Sequence, residues 1–174
     1  PKKKVAITFG SMPYKSRVPV DAFIRAVRER LDVRIVLVRG WGLKAIEIAE
    51  SQDVLAIDFA PFDRLFPLVD AVVHHGGVGT TAMALKSGRP MMILPVLYPF
   101  GDQMFWGKQV HQQGLGIEPV PLSKLTPSHF GDAVRTLLEV DFSSSCSQIK
   151  KALGAEDGIS EAIRIISQSP EWHM

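Results

Sequence analysis

The sequence predicts a doubly wound α/β domain: a Rossmann-like parallel sheet with helices on both faces. Short apolar runs alternate with stretches whose apolar residues recur every three to four positions. The runs are apolar on consecutive residues, as strands covered on both faces must be. Each run meets a glycine or proline within two residues of its end, the punctuation of a strand-to-helix turn.

Val5–Phe9 reads as the first strand, stopped by Gly10-Ser11. Val20, Phe23, Ile24, Val27 and Leu31 then mark an amphipathic helix. Val33–Val38 is the second strand, a short helix is expected over Leu43–Glu50, and Val54–Phe59 is the third strand. Ala71–His75 is the fourth, followed by a helix over Gly77–Ser87 with Gly88 as its stop. Met91–Leu94 is the fifth strand, Asp102–Gln113 a helix and Leu115–Pro119 a short edge strand. Thr126-Pro127 is a cap and first-turn pair for the helix whose stripe is Phe130, Ala133, Val134, Leu137 and Leu138. Two more helices are expected, over Ser145–Leu153 and Gly158–Ser167. Strand–helix alternation implies right-handed crossovers, and ligands of such sheets bind beyond the carboxyl ends of the strands.

Composition narrows the function. At 174 residues, with no repeat or linker, the chain is expected to form one domain, 1–174. Its 46% hydrophobic and 22% charged residues exclude disorder, a collagen repeat and a disulfide scaffold. A net charge of +2 argues against nucleic acid as the main partner. The lone Cys146 suits a reducing compartment, so a cytoplasmic location is expected. No apolar run approaches the roughly 18 residues of a membrane span. Lys2–Lys4 is a marginal electrostatic anchor, so any membrane association would be peripheral. Opening at Pro1 and not Met, the chain reads as part of something longer.

The most informative loop is His74-His75-Gly76-Gly77-Val78-Gly79-Thr80-Thr81. Glycines between a strand end and a helix start let backbone amides approach an anion, and the helix N-terminus adds about half a positive charge. The Thr80 and Thr81 hydroxyls and the His75 ring add donors. The plain alternative is a tight turn whose glycines serve only packing. The same stretch loosely fits a dinucleotide fingerprint, but it follows the fourth strand and not the first, so a nicotinamide cofactor is the lesser reading. Asp102-Gln103 offers acceptors and a donor to vicinal hydroxyls, the chemistry of a sugar. Alternatively, Asp102 caps a helix whose Phe105 and Trp106 pack in the core; the two roles can coexist. Adjacent His74 and His75 point to opposite faces of a strand and cannot share a metal, and no metal site is expected. No Gly-x-Ser-x-Gly elbow supports a serine hydrolase. His111 and His129, on helices, read as structural or solvated, and His173 as part of a tail.

Phe9-Gly10-Ser11, Phe59-Ala60-Pro61-Phe62, the His74–Thr81 loop and Gly101-Asp102-Gln103 with Phe105-Trp106-Gly107 together resemble the C-terminal domain of GT-B glycosyltransferases, most of all the sterol glucosyltransferases. The resemblance implies a donor-binding half-enzyme for a UDP-sugar, usually UDP-glucose, transferring a hexose with inversion to a sterol or other lipophilic hydroxyl. It assigns the diphosphate to Ser11, His75, Gly77, Gly79 and Thr80, and the sugar to Asp102 and Gln103. It assigns the base to Arg39, Trp41, Ala60 and Pro61. It implies no cofactor or metal, and a general base supplied by the protein's own N-terminal acceptor domain, without which this chain is inactive. Two departures stand out. Met83 occupies the place where plant-type relatives hold ribose with Glu, and Pro95–Phe100 is longer than the usual family link. A regulatory nucleotide-sugar-binding module and half of a nucleotide-sugar epimerase are the alternatives.

Overall fold

The computed structural model describes residues 1–13, 16–43 and 51–168. Five strands, β1 (Lys3–Thr8), β2 (Val33–Val38), β3 (Val54–Ile57), β4 (Ala71–His74) and β5 (Met91–Ile93), form one sheet in the order β3-β2-β1-β4-β5. All four pairings are parallel, with Val5 opposite both Ile35 and Ala71. Doubly wound topology follows: the chain moves outward from β1 to β3, then returns to the other side of β1 with β4.

Alternate residues of each strand enter opposite cores, which is why the strands read as unbroken apolar runs. Val5, Ile7, Val73 and Met92 pack with Phe23, Ile24 and Val27 of α1 (Val20–Arg28), while Ala6, Val72, Met91 and Ile93 pack on the other face. On that second face lie α2 (Phe62–Leu65), α3 (Val78–Ser87) and α4 (Gln103–Gln112). The first core is closed by α5 (Pro127–Glu139), whose Phe130 ring meets Phe23 edge-on with centroids 5.3 Å apart. Thr126 caps α5 as expected, its hydroxyl accepting from the His129 N–H at 3.2 Å, with Pro127 in the first turn. α3 ends at Gly88, with φ +69°, the expected stop. The chain continues through α6 (Ser143–Gly154), which sends Cys146 into the second core, and α7 (Gly158–Gln168), which buries none of its residues.

Three expectations need correction. The edge strand over Leu115–Pro119 reduces to a single bridge from Gly116 to Met91, because the segment soon reaches Pro119, which has no N–H for a ladder. β3 stops at Ile57, leaving Phe59 exposed, and β4 stops at His74, so His75 stands just beyond the ladder. The turn of α2 and the 3-10 turn Phe66–Leu68 were not expected; four residues are too few to show a helical period. The expected helix over Leu43–Glu50 lies almost wholly outside the described residues.

Candidate functional site

The strand order reverses between β1 and β4, so the loops leaving these two strands part and open a crevice at their carboxyl ends. His75, directly after β4, fills the floor of this crevice. A Cβ at Gly10, after β1, would stand 3.0 Å from the His75 Cε1, and one at Gly77 would stand 2.4 Å from its Nε2. The imidazole is therefore slotted between two glycines that approach it closely because they carry no side chain. It is 7% exposed, and its Nδ1 is buried without a hydrogen-bond partner. Buried polar atoms are nearly always satisfied, so an orphaned one in a crevice marks a place for a ligand or water. Burial pushes the His75 pKa down, opposed by the charge of the Asp102 carboxylate. The start of α4 packs against the same loop: a Cβ on Gly76 would stand 3.1 Å from the Gln103 carbonyl oxygen.

His74 has the opposite fate. It is fully buried, its Nδ1 accepts the Gly76 N–H at 3.1 Å, and its Nε2 lies 3.5 Å from the Met91 sulfur. Accepting at Nδ1 puts the proton on Nε2. Burial lowers its pKa to about 3. The two rings stand 6.4 Å apart and nearly perpendicular, at 86°.

Helix α3 starts beside His75. Its N-cap, Gly77, has no side chain to satisfy the first-turn amides, which stay free for an anion along with the positive end of the helix dipole. Gly79 is exposed with nothing within 4 Å of where its Cβ would be, and Thr80 is buried in the same turn. Thr81 was expected to offer its hydroxyl to a ligand; instead it donates to the Gly77 carbonyl at 3.0 Å and is spent inside the helix.

The loops after β1 and β2 are tied together backbone to backbone. The Gly10 carbonyl accepts from the N–H groups of Trp41 and Gly42, both at 3.0 Å. A side chain on Gly40 would put its Cβ 2.5 Å from that same oxygen. This joins exposed Ser11 to the stretch holding Arg39 and Trp41. Arg39 pairs with Asp58 at 3.0 Å, and its Nε is buried and unpartnered. Asp58 draws in the following Phe59-Ala60-Pro61 stretch, where Phe59 and Pro61 are exposed and Ala60 half-buried. Trp41 is 75% exposed, so the flat wall it offers lies open at this edge. Asp58 was missed by the sequence reading, which placed it inside a strand; its only signal was an acid opposite Arg39 on neighbouring chain ends.

Across the crevice, the expected cap at Asp102 is absent. Its backbone is already helical, with φ −84° and ψ −11°, and its side chain makes no cap bond. Asp102 Oδ2 instead accepts from the Trp106 indole N–H at 3.0 Å, one helical turn on. Trp106 is half-buried against the second core, as the alternative reading had it, whereas Phe105 is exposed. Gln103 is 3% exposed, with its Oε1 held by the Val96 and Leu97 amides. Met83 is half-buried against the second core. His111 and His129 are exposed. Among the described residues no group of three or more His, Cys, Asp or Glu could hold a metal ion, and no helix is long and apolar enough to cross a membrane.

A Rossmann-like parallel sheet with a glycine-lined, amide-rich crevice at its switch point defines the class: an α/β domain of the kind that forms one half of a GT-B fold. Solved structures agree. The glycosyltransferase VinC, in complex with DTDP, superposes with a TM-score of 0.79 at 27% identity, over 97% of this chain and 42% of that one. The kitacinnamycin glycotransferase gives 0.82 at 23% identity, over 96% and 43%. The model for the erythromycin biosynthesis protein CIII-like C-terminal domain matches residues 28–165, and the chain belongs to that family. A sterol 3-beta-glucosyltransferase of Arabidopsis thaliana is 37% identical over 161 residues, 91% of this chain and 26% of its own length. One of Saccharomyces cerevisiae (strain YJM789) is 37% identical over 180 residues, 98% of this chain and 14% of its own length. The chain thus spans about a quarter or less of these curated relatives.

Proposed function

We propose that this chain is the donor-binding domain, 1–174, of a UDP-sugar-dependent hexosyltransferase that glucosylates a sterol or another lipophilic alcohol. The observation that carries the reading is the buried, unpartnered Nδ1 of His75, slotted between Gly10 and Gly77 beside the uncapped start of α3. Sugar transfer leaves negative charge on the departing diphosphate. Preorganised donors aimed at that charge lower the barrier without having to reorient during the reaction. The amides around Gly77, Gly79 and Thr80, with the hydroxyls of Ser11 and Thr80 and the His75 ring, are assigned that task. A His75 kept neutral by burial can donate one hydrogen bond to a phosphate oxygen from a ring nitrogen. Arg39, Trp41, Ala60 and Pro61 are assigned to the base, and Asp102, oriented by Trp106, to the sugar hydroxyls.

The names of the relatives support glucose and a sterol as donor sugar and acceptor, and the DTDP held by VinC supports a pyrimidine nucleoside diphosphate. The base that takes the acceptor proton is assigned to an acceptor domain outside this chain, which makes the isolated domain inactive and donor binding its readout. No divalent metal is required, because amides and His75 meet the diphosphate charge. Calorimetric titration of the 174-residue chain with UDP, UDP-glucose, ADP and NAD tests the reading. UDP and UDP-glucose are expected to bind more tightly than ADP or NAD; equal affinity for all four would remove the uracil assignment.

A further inference from the structure

We propose that Thr8 and His74 are positioning residues for the diphosphate site: two buried hydrogen-bond acceptors, side by side in the sheet, that set the walls of the His75 slot. The proposal rests on the assignment of His75 and the α3 amides to the diphosphate. Thr8 ends β1 and His74 ends β4, and the register places them opposite each other. Both are 0% exposed, on the face of the second core, in step with Ala6 and Val72. With no surface exposed, they lie behind the crevice and not in it. Each reaches forward two residues along its own chain. The Thr8 hydroxyl accepts the Gly10 N–H at 3.2 Å, and the His74 Nδ1 accepts the Gly76 N–H at 3.1 Å.

An amide N–H and the carbonyl before it form one planar unit. Holding the Gly76 N–H therefore sets the direction in which the chain leaves His75. Holding the Gly10 N–H does the same where the chain leaves Phe9. Both clasped glycines have positive φ, +59° at Gly10 and +90° at Gly76, so the chain turns sharply out of the ladder at each. The His74 clasp is anchored in turn by its carbonyl, which accepts the Leu94 N–H at 2.8 Å. Gly10 is thereby laid against the imidazole, a Cβ there standing 3.0 Å from Cε1, and Gly77 follows directly on Gly76, with its own Cβ position 2.4 Å from Nε2. The Gly76 N–H is spent on His74, so the amides offered to an anion begin at Gly77. Thr8 and His74 act on the diphosphate through these glycines and His75.

Nuclear magnetic resonance of the 174-residue chain, with calorimetry of UDP against uridine, tests the proposal. Thr8→Val keeps the shape and removes the acceptor, whereas Thr8→Ser keeps the acceptor. His74→Leu and His74→Asn form the corresponding pair. The Gly10 amide in Thr8→Val, and the Gly76 amide in His74→Leu, should exchange about tenfold faster, the equivalent of one net hydrogen bond, with the amides of β2 unchanged. In both variants the His75 ring resonances should shift, and UDP should weaken about tenfold while uridine binds as before. Thr8→Ser and His74→Asn should restore all three readouts. UDP and uridine weakened by the same factor would make the two residues ordinary packing and overturn the proposal. So would unchanged UDP affinity in chains whose glycine amides exchange faster, or rescue variants that bind UDP as weakly as the acceptor-free ones. Should His74→Leu fail to fold, His74→Asn decides alone: Gly76 protection and UDP affinity near wild type are expected, and lost affinity with the protection kept overturns it. A wild-type chain that binds UDP no better than uridine would defeat the diphosphate assignment, while the exchange rates and His75 resonances would still decide whether the two clasps set the slot.

Discussion

Acid should unfold this domain earlier than its carboxylates alone would require, and His74 is the reason. In the folded chain His74 stays neutral down to about pH 3; freed by unfolding, it takes up a proton near its ordinary value of 6.5. Between those values the unfolded state binds more protons, so stability is full above 6.5 and drains away as the pH falls toward 3. From about pH 6 to about pH 4.5 the loss from this one group is about 2 kcal/mol. For a domain of this size that corresponds to roughly 4–8 °C in Tm. His75, also depressed by burial, adds loss of the same sign. Asp53, Asp141, Asp157 and Glu161 are held below their ordinary carboxylate values and lose their contribution only at lower pH. The control is His74→Asn, whose side-chain oxygen can still accept the Gly76 N–H but cannot titrate. Urea unfolding of both proteins at the two pH values should show a slope flatter by about 2 kcal/mol in the variant, whatever its absolute stability. Equal slopes would mean that burial does not keep His74 neutral.

Two further outcomes follow from the glycines and from the charge balance of the crevice. Gly77→Ala should weaken UDP by displacing the His75 ring, since the new methyl would lie 2.4 Å from Nε2, whereas Gly79→Ala meets no atom within 4 Å and should raise stability by about 0.5–1 kcal/mol. Thermal unfolding and UDP titration of the pair check both, and a Gly77→Ala chain with wild-type UDP affinity would detach His75 from the site. EDTA should leave UDP affinity unchanged; its loss in a chain that remains folded would show that amides and His75 do not suffice for the diphosphate.

The sheet was legible because burial on both faces leaves an unmistakable mark: Val33–Val38 and Ala71–His74 are apolar almost throughout. The α5 helix announced itself through Thr126-Pro127 and a full apolar stripe. Short or irregular pieces did not. Phe62–Leu65 is one turn long, and Leu115–Pro119 had strand-like composition without room for a ladder. At the site, residue types pointed to loops that the fold brings to one end of the sheet, but not to the partner of every side chain. That Gly10 would flank the His75 ring depends on β1 and β4 being sheet neighbours, a long-range pairing no local pattern records. For Asp102 the sequence offers a sugar ligand or a helix cap; the cap bond is absent, and the carboxylate accepts from the Trp106 indole, a partner one turn away that residue type alone does not single out. Gln103 shows the limit best: its side-chain oxygen accepts from the Val96 and Leu97 N–H groups, a tie to the preceding loop that no local pattern records.

The most direct test of the donor-site assignment compares UDP with uridine in the wild-type chain and in His75→Ala, by calorimetry at neutral pH. If the unpartnered His75 ring meets a phosphate oxygen, its removal should weaken UDP by about ten- to a hundred-fold, the worth of a hydrogen bond to a charged group. Uridine, which has no phosphate, should bind the two proteins alike. Equal weakening of UDP and uridine would make His75 a packing residue, and an unchanged UDP affinity would contradict the assignment of the crevice to the diphosphate.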